Sequence, residues 1–325
     1  MARTQSDLVD HLVTRGVVRS PRVATAMRQV DRALFINPSE APLRAAYEDH
    51  PLPIGCGQTV SAPHMHGTCL ELLEGHLVPG ARALDVGSGS GYLTAAMALL
   101  VHPGGRVLGI EKFPELAKRS VDAVRTAVPS LARPPSPPAS SPHASLHPPT
   151  QPAWETPLPA AATSVCKGDS MGAMPQSALP TPQTPEQAER QRAARLAAAH
   201  TQKAPTESRW APWSAWRPRG GPAAATLLGE GANWSVVHGN ALTDTLAHEA
   251  PFNAIHVGAA ADDVPDELLA VLAKGGRMVI PVGARWQSQE LMVVDRDADG
   301  KLTSYSTMGV TYVPLTRPTE MEDGF

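Results

Sequence analysis

The sequence has 325 residues and a formal net charge of −3 at neutral pH, which implies no general attraction to nucleic acid or to an anionic membrane. Three cysteines (Cys56, Cys69 and Cys166) without C-x-x-C spacing argue for a reducing compartment and against a metal site. No apolar run approaches the roughly 20 residues of a membrane helix, so a cytoplasmic protein is expected.

Ser6–Arg15 places Leu8, Val9, Leu12 and Val13 at helical spacing behind Ser6 as the expected N-cap. With Asp7 and Asp10 in this stretch and no apolar h-region, it does not read as a secretory leader. A second helix is expected over Pro21–Gln29, opened by Ser20 and with proline at its first position. Pro38, Pro42, Pro51, Pro53, Gly55 and Gly57 make residues 31–57 loop-like. QTVSAPHMHG, Gln58–Gly67, continues as a polar loop into an amphipathic helix that ends near Glu74.

Leu84–Thr94, LDVGSGSGYLT, is the most informative stretch. An apolar run, Ala83–Val86, meets glycines at 87, 89 and 91, and a helix-like pattern follows over Tyr92–Val101. Strand, glycine turn and helix together bring backbone close to a ligand and aim helix N–H groups at its negative end. The G-x-G-x-G spacing lacks the more distant glycine of a dinucleotide fingerprint. With Asp85 at the strand end, it favours a cationic or amino-acid-bearing cofactor over a pyrophosphate. A second strand, Arg106–Ile110, ends in Glu111, about 20 residues past the last glycine, where βαβ nucleotide sites hold an acid for ribose hydroxyls. Helix Pro114–Val128 comes next.

From about 130 to about 229 the pattern breaks into Pro-, Ala- and Ser-rich sequence, with about half of the 33 prolines between Leu131 and Pro222. Such composition does not bury a core. The tract reads as an insertion into a single domain rather than as a second one. Glu186–His200 has helical composition. RWAPWSAWRPR, Arg209–Arg219, interleaves Trp with Arg and suits either a proline-binding domain or single-stranded nucleic acid, or nothing at all. Running from a helix end to a strand start, the insertion is expected to emerge on the rim away from the ligand site, where added loop length costs little.

Strands resume at Trp234–His238, before Gly239-Asn240-Ala241, and at Phe252–Val257. A helix over Pro265–Leu272 is stopped by Lys274-Gly275-Gly276, and Arg277–Val282 forms the next strand. Glu290–Asp295, a turn at Asp297–Gly300, and Leu302–Tyr305 suggest an antiparallel hairpin. The DRDADG run there starts like a calcium loop, but Ser306 stands where the twelfth-position glutamate is required. The tally is α/β: a doubly wound, mostly parallel sheet with an antiparallel C-terminal hairpin and a helical N-terminal segment. Its ligands belong at the carboxyl ends of the strands.

SAPHMHG (Ser61–Gly67), ALDVGSGSGYLTA (Ala83–Ala95), AIHVGAAA (Ala254–Ala261), GGRMVIPVG (Gly275–Gly283) and MGVTYVPLT (Met308–Thr316) together resemble the protein-L-isoaspartate (D-aspartate) O-methyltransferases. The glycine loop is shared with many S-adenosylmethionine enzymes; SAPHMH, HVGAA and YVPLT are more specific. The resemblance implies one Rossmann-like class I methyltransferase domain over 1–325, interrupted by the insertion. It implies methylation of the free α-carboxyl of L-isoaspartyl and D-aspartyl residues in damaged proteins, which initiates repair; a class I methyltransferase acting on another substrate is the alternative.

Carried onto this sequence, the resemblance makes Ser61 the active-site serine and a substrate contact. It gives Gln58, Thr59, Val60, Ser61 and His66 to the cofactor wall, with Asp85, Gly87, Ser88 and Gly89 around the glycine loop. Glu111 falls at the ribose, Asn240 and Ala241 at the adenine, and Thr316 on the cofactor side. Val310 and Val313 resemble the edge that holds substrate backbone. Asn240 and Asn253 stand where the family usually has aspartate. Ser61 equally suits a helix N-cap before Ala62-Pro63. His64 and His66, at i, i+2 on a helix start, point apart, so no metal is expected. The implied partners are isoaspartyl proteins and peptides, with no nucleic acid and no membrane, and the expected state is a monomer.

Overall fold

The computed structural model describes residues 2–131, 226–243, 246–284 and 288–316, all within one compact unit. The helix-like Glu186–His200, the Trp/Arg cluster and Cys166 lie outside the described residues.

Helix α1 (Gln5–Thr14) is capped by Thr4, not by Ser6. The Thr4 hydroxyl accepts the Asp7 N–H at 3.2 Å while the Asp7 carboxylate accepts the Thr4 N–H at 3.2 Å. A reciprocal pair of this kind satisfies two end groups at once, which a cap at Ser6 does not. Helix α2 (Pro21–Gln29) starts as expected, with the Ser20 hydroxyl accepting from Arg22 and Val23 N–H. Residues 31–57 hold more order than their prolines suggest: 3-10 turns at Arg32–Phe35 and Leu43–Tyr47, then strand β1 (Leu52–Gly55). β1 pairs antiparallel with β2 (Gln58–Val60). The turn between them runs through Gly55, Cys56 and Gly57, all at positive φ (96°, 54° and 64°), a conformation that two of the three residues adopt without strain. Helix α3 (Pro63–Leu73) follows.

The main sheet is built from β3 (Arg82–Val86), β4 (Arg106–Glu111), β5 (Thr226–Glu230), β6 (Trp234–His238), β7 (Phe252–Val257), β8 (Leu272–Val282), β9 (Gln289–Arg296) and β10 (Leu302–Val310). Their order is β10-β9-β8-β7-β3-β4-β6-β5. β7, β3, β4 and β6 are parallel, and β8 is parallel to β7, while β9, β10 and β5 are antiparallel to their neighbours. From β3 the chain moves outward through β4 to β6, then returns to β7 on the other side of β3. The strand order therefore reverses between β3 and β7, the place where doubly wound sheets hold ligands.

Alternate residues of the central strands feed two cores. Ala83, Val107 and Ala254 face the cluster of α1, α2, α3, α4 (Tyr92–Val101) and α5 (Pro114–Ala127). Leu84, Leu108 and Ile255 face the opposite cluster with α6 (Asp266–Val271). Helix α4 is buried almost all round, which explains its lack of a polar face. Gly91 opens it at φ 89°, and a Cβ there would lie 2.8 Å from Val124 Cγ2, so only glycine serves both the turn and the packing.

β5 falls in the stretch that composition assigns to the insertion, because a five-residue strand, TLLGE, with two leucines beside low-complexity sequence carries too little periodicity to stand out. It also changes where the insertion joins. Leu131 sits at the start of β6, accepting the Ala232 N–H at 2.7 Å, but Thr226 pairs with His238 at the end of β6. The described chain breaks off after Leu131 on the far rim and resumes at Thr226 on the ligand rim, contrary to the expectation that both junctions lie away from it. β8 begins directly after α6, so the expected helix stop at Lys274-Gly275-Gly276 falls within a strand; Gly275, at φ 73°, takes up the irregularity in its pairing with β7. Asp297 Oδ1 closes the β9–β10 turn by accepting Gly300 and Lys301 N–H at 2.8 Å each. Beyond β10, YVPLT is not a strand but a strap. Pro314 forms a lone bridge to Ala260, with Ala260 N–H donating to Val313 O at 2.8 Å and Leu315 N–H to Ala260 O at 2.7 Å.

Candidate active site

The glycine loop is pinned before any ligand arrives. Gly87 and Ser88 N–H groups both donate to Ile110 O, at 2.9 and 3.1 Å. Glu111, at the end of β4, then fixes the next turn: its Oε2 accepts Gly89 N–H at 2.8 Å and its Oε1 accepts Phe113 N–H at 2.9 Å. Burial pushes the Glu111 carboxyl pKa up, and the N–H groups of Phe113, Gly89 and Lys112 pull against that shift. A buried acid at the open end of a strand beside a glycine loop is matched to neutral hydroxyl donors.

These elements frame an open cleft of about 600 Å³. Of the residues expected from sequence, it brings together Gln58, Thr59, Gly87, Gly89, Glu111, Asn240, Ala241, Val313 and Thr316. Lys112 and Phe113, which carried no sequence signal, line it as well, as does Leu315 of the YVPLT stretch. The strap crosses one side and is tied down there. Lys112 Nζ donates to Thr316 Oγ1 at 2.9 Å, and Asn240 Nδ2 donates to Thr316 O at 3.1 Å. A carboxylate at 240 could not make that second bond. Asn240 Oδ1 meanwhile accepts Leu242 N–H at 2.9 Å, as an aspartate would. Asn253 Oδ1 is spent on structure, accepting Arg82 N–H at 2.9 Å.

Six expected residues do not line the cleft: Val60, Ser61, His66, Asp85, Ser88 and Val310. Val60 packs in a small core with Ile54 and Leu116. Ser88 is buried against Gly109, whose Cβ would come within 3.3 Å of its hydroxyl. Val310 ends β10. His66 stacks on Tyr92, ring centroids 4.7 Å apart; burial, then the charge of Arg32, holds its pKa well below the usual histidine range, so it is neutral.

Asp85 lies beneath the loop, 1% exposed. Its Oδ1 meets His256 Nδ1 at 2.8 Å and its Oδ2 accepts Thr94 Oγ1–H at 2.6 Å. Burial alone would lower the His256 pKa, but the bond to Asp85, with Cys69 on its other side, outweighs burial and pushes it up to about 10. Asp85 and His256 thus form a buried ion pair supporting strands β3 and β7 side by side.

Ser61 is half-buried between β2 and α3. It does not cap α3: the N-cap is Ala62, and the first-turn N–H of His64 is taken by Asp49 Oδ1 at 2.9 Å. Its hydroxyl is left for other partners, and the phenol of Tyr312 interacts with it and with Cys69. Gln289 holds Tyr312 by its backbone, donating to Tyr312 O at 3.1 Å and accepting Tyr312 N–H at 2.6 Å. His64 Nδ1 meets Asp49 Oδ1 at 2.8 Å, on the other side of the helix start from His66.

The arrangement offers a buried acid at a strand end, a cradle of backbone at positive φ and a hydroxyl nearby. Glu111→Gln removes a charged acceptor and sets an amide N–H against loop N–H groups. It is expected to weaken binding of S-adenosylhomocysteine by about 1.5 kcal/mol, roughly tenfold, as read by calorimetry.

The sheet, the switch point and this cleft define a Rossmann-like class I methyltransferase. A family model for protein-L-isoaspartate (D-aspartate) O-methyltransferases matches residues 3–131 and 229–320, and the chain belongs to that family. It is 35% identical to the protein-L-isoaspartate O-methyltransferase of Triticum aestivum, over 97% of this chain and 93% of that one. The Caenorhabditis elegans protein of the same name is 34% identical over 96% of this chain and 92% of its own. Among solved structures, a Plasmodium falciparum chain determined under that enzyme name in complex with S-adenosyl-L-homocysteine superposes with a TM-score of 0.60 at 23% identity, covering 97% of this chain and 99% of that one. That likeness speaks to the fold.

Proposed function

We propose that the chain uses S-adenosylmethionine to methylate the free α-carboxyl of L-isoaspartyl and D-aspartyl residues in damaged proteins, the step that opens their repair. Membership of the family across both described stretches of the sheet carries this reading. The cleft fits the cofactor: Glu111 for the ribose hydroxyls, Gly87 and Gly89 for close backbone approach, Asn240 and Ala241 for the adenine, with Gln58, Thr59 and Thr316 as walls. Asp85, Ser88, Val60 and His66 act from behind, by holding those residues in place.

Bound S-adenosylmethionine supplies a methyl already activated on a sulfonium. The acceptor is an α-carboxylate of pKa about 3.5, ionised at neutral pH without help. No general base is needed, and the chain's contribution is alignment, which can supply about 7–11 kcal/mol. Ser61 orients the acceptor oxygen by donating its hydroxyl hydrogen, and Tyr312 keeps that hydroxyl in place. The peptide runs along the free edge of β10 towards Val310 and Val313, bound mainly through its backbone. Such binding tolerates many flanking sequences, as a repair enzyme requires.

The deciding assay is methyl transfer to an isoaspartyl peptide beside its normal aspartyl twin. Transfer to the first alone supports the reading; transfer to neither, with methylation of a small molecule or nucleic acid, overturns it. We further read residues from about 130 to 229 as an insertion into one domain, supported by the gap between 131 and 229 in the family match. Deleting Pro134–Gly221 is therefore expected to leave a folded enzyme with most of its activity, checked by thermal melting and the same assay. Among the described residues no helix is long and apolar enough to cross a membrane.

A further inference from the structure

We propose that Arg32 is a positioning residue for the acceptor: a buried cation with no carboxylate partner, fastened to Ser61, whose charge is answered by the substrate's α-carboxylate. The proposal rests on the isoaspartyl reading above and names what gives that site its preference for a charged acceptor. Arg32 is 0% exposed. Its Nη1 donates to Ser61 O at 2.8 Å and its Nη2 to His50 O at 3.2 Å, while its backbone N–H is held by Gln5 Oε1 at 3.1 Å. Its Nε is buried without a partner. Every group that it touches is neutral.

The acids nearby are occupied elsewhere. Asp31 accepts from the Tyr47 hydroxyl and Ala33 N–H. Asp49 is shared between His64 at 2.8 Å and Arg15 at 3.6 Å. Burial lowers the Arg32 pKa to about 10, which leaves it cationic at neutral pH. His66 beside it is neutral, Tyr92 is held protonated with its pKa pushed up to about 12, and the charge of His256 is matched by Asp85. Among the described residues around Ser61, Arg32 therefore carries a buried charge with no carboxylate in contact; the acid whose charge it feels, Asp49, is bonded to His64 and Arg15 instead.

Buried cations without partners are costly, and proteins that keep one generally use its field. Here the guanidinium grips the carbonyl of the residue whose hydroxyl receives the acceptor. A carboxylate on Ser61 lies within the field of Arg32, with protein rather than water between them, where charge is weakly screened. A carboxamide of the same shape gains nothing from it.

The test compares wild type, Arg32→Lys and Arg32→Gln, each saturated with S-adenosylhomocysteine, for binding of two peptides. One is an isoaspartyl peptide with a free α-carboxylate; the other is the same peptide as its α-carboxamide. The ratio of the two affinities is the readout, because general loosening of the site lowers both together. The expected result is that Arg32→Gln reduces the carboxylate preference roughly tenfold, by weakening the carboxylate peptide alone, and that Arg32→Lys keeps most of it. Equal weakening of both peptides in Arg32→Gln, or an Arg32→Lys variant that loses the preference as fully as Arg32→Gln, overturns the proposal and leaves Arg32 a structural tie. Should Arg32→Gln fail to fold, seen as no binding of S-adenosylhomocysteine, Arg32→Lys decides: preference kept supports the charge, preference lost overturns it. A wild type that methylates no isoaspartyl peptide defeats the substrate reading, and this proposal with it; active wild type with an unchanged ratio in the variants defeats this proposal alone.

Discussion

Asp85→Asn is expected to lower stability by about 3 kcal/mol at neutral pH, the lower end of what breaking a buried ion pair costs. The lower end applies because His256, left without its partner, can discard its proton rather than keep an unmatched charge in the core. The pH dependence gives a second signature. The folded protein raises the His256 pKa from 6.5 to about 10, so the native state holds that proton more tightly than the unfolded chain. The pair's contribution is complete below about pH 6.5 and is lost as pH rises through about 10. Urea unfolding of the wild type should therefore show stability falling across this window, and Asp85→Asn should remove most of the slope. Because Asp85 lies beneath the cleft, the folded variant should bind S-adenosylhomocysteine within a fewfold of wild type. A variant as stable as wild type, with affinity lost instead, would identify Asp85 as a direct cofactor ligand.

Ser61→Ala has the largest expected effect on the reaction. Its hydroxyl is released from helix capping and interacts with Tyr312, so its loss removes an oriented donor to a charged acceptor. A charge-assisted bond of this kind is worth about 1.5–3 kcal/mol, which predicts a fall in turnover of roughly 10- to 150-fold. Cofactor affinity and melting temperature should stay close to wild type, since the serine supports neither the loop nor the helix start. Calorimetry showing comparable loss of S-adenosylhomocysteine binding would sink the assignment.

What could be read from sequence was what is local. The run from β3 through the glycine loop and α4 to Glu111 is continuous in the chain, and each element sets the next, so its boundaries and the place of the acid were legible. Asp85 was legible as important but not in its role, because its partner His256 is 171 positions away. Arg32 looked like part of a loop for the same reason: its significance lies in the carbonyl of Ser61, 29 positions on. Ser61 appeared equally suited to capping, and only the dihedral course of the chain, which puts Ala62 at the cap, separates the two roles. β5 was hidden by its neighbours in the chain and found by its neighbour in space, β6. The YVPLT stretch carries residues that favour a strand, but its one bridging position is Pro314, which has no N–H to give, so it runs as a strap.

The antiparallel course of β5 sets a limit on how far this chain can be shortened. Its two junctions stand on opposite rims, so a replacement for the insertion must climb the height of β5, five residues or about 17 Å. Cutting out Pro134–Gly221 leaves residues 132–133 and 222–225 as a tether, which pulled taut reaches about 20 Å. That is only just enough. Removing two or three residues more would peel β5 from β6 and bare the edge beside Glu111 and Lys112, whereas a few added glycines would relieve the strain. Whatever else the inserted sequence does, its first geometric duty is to be long enough.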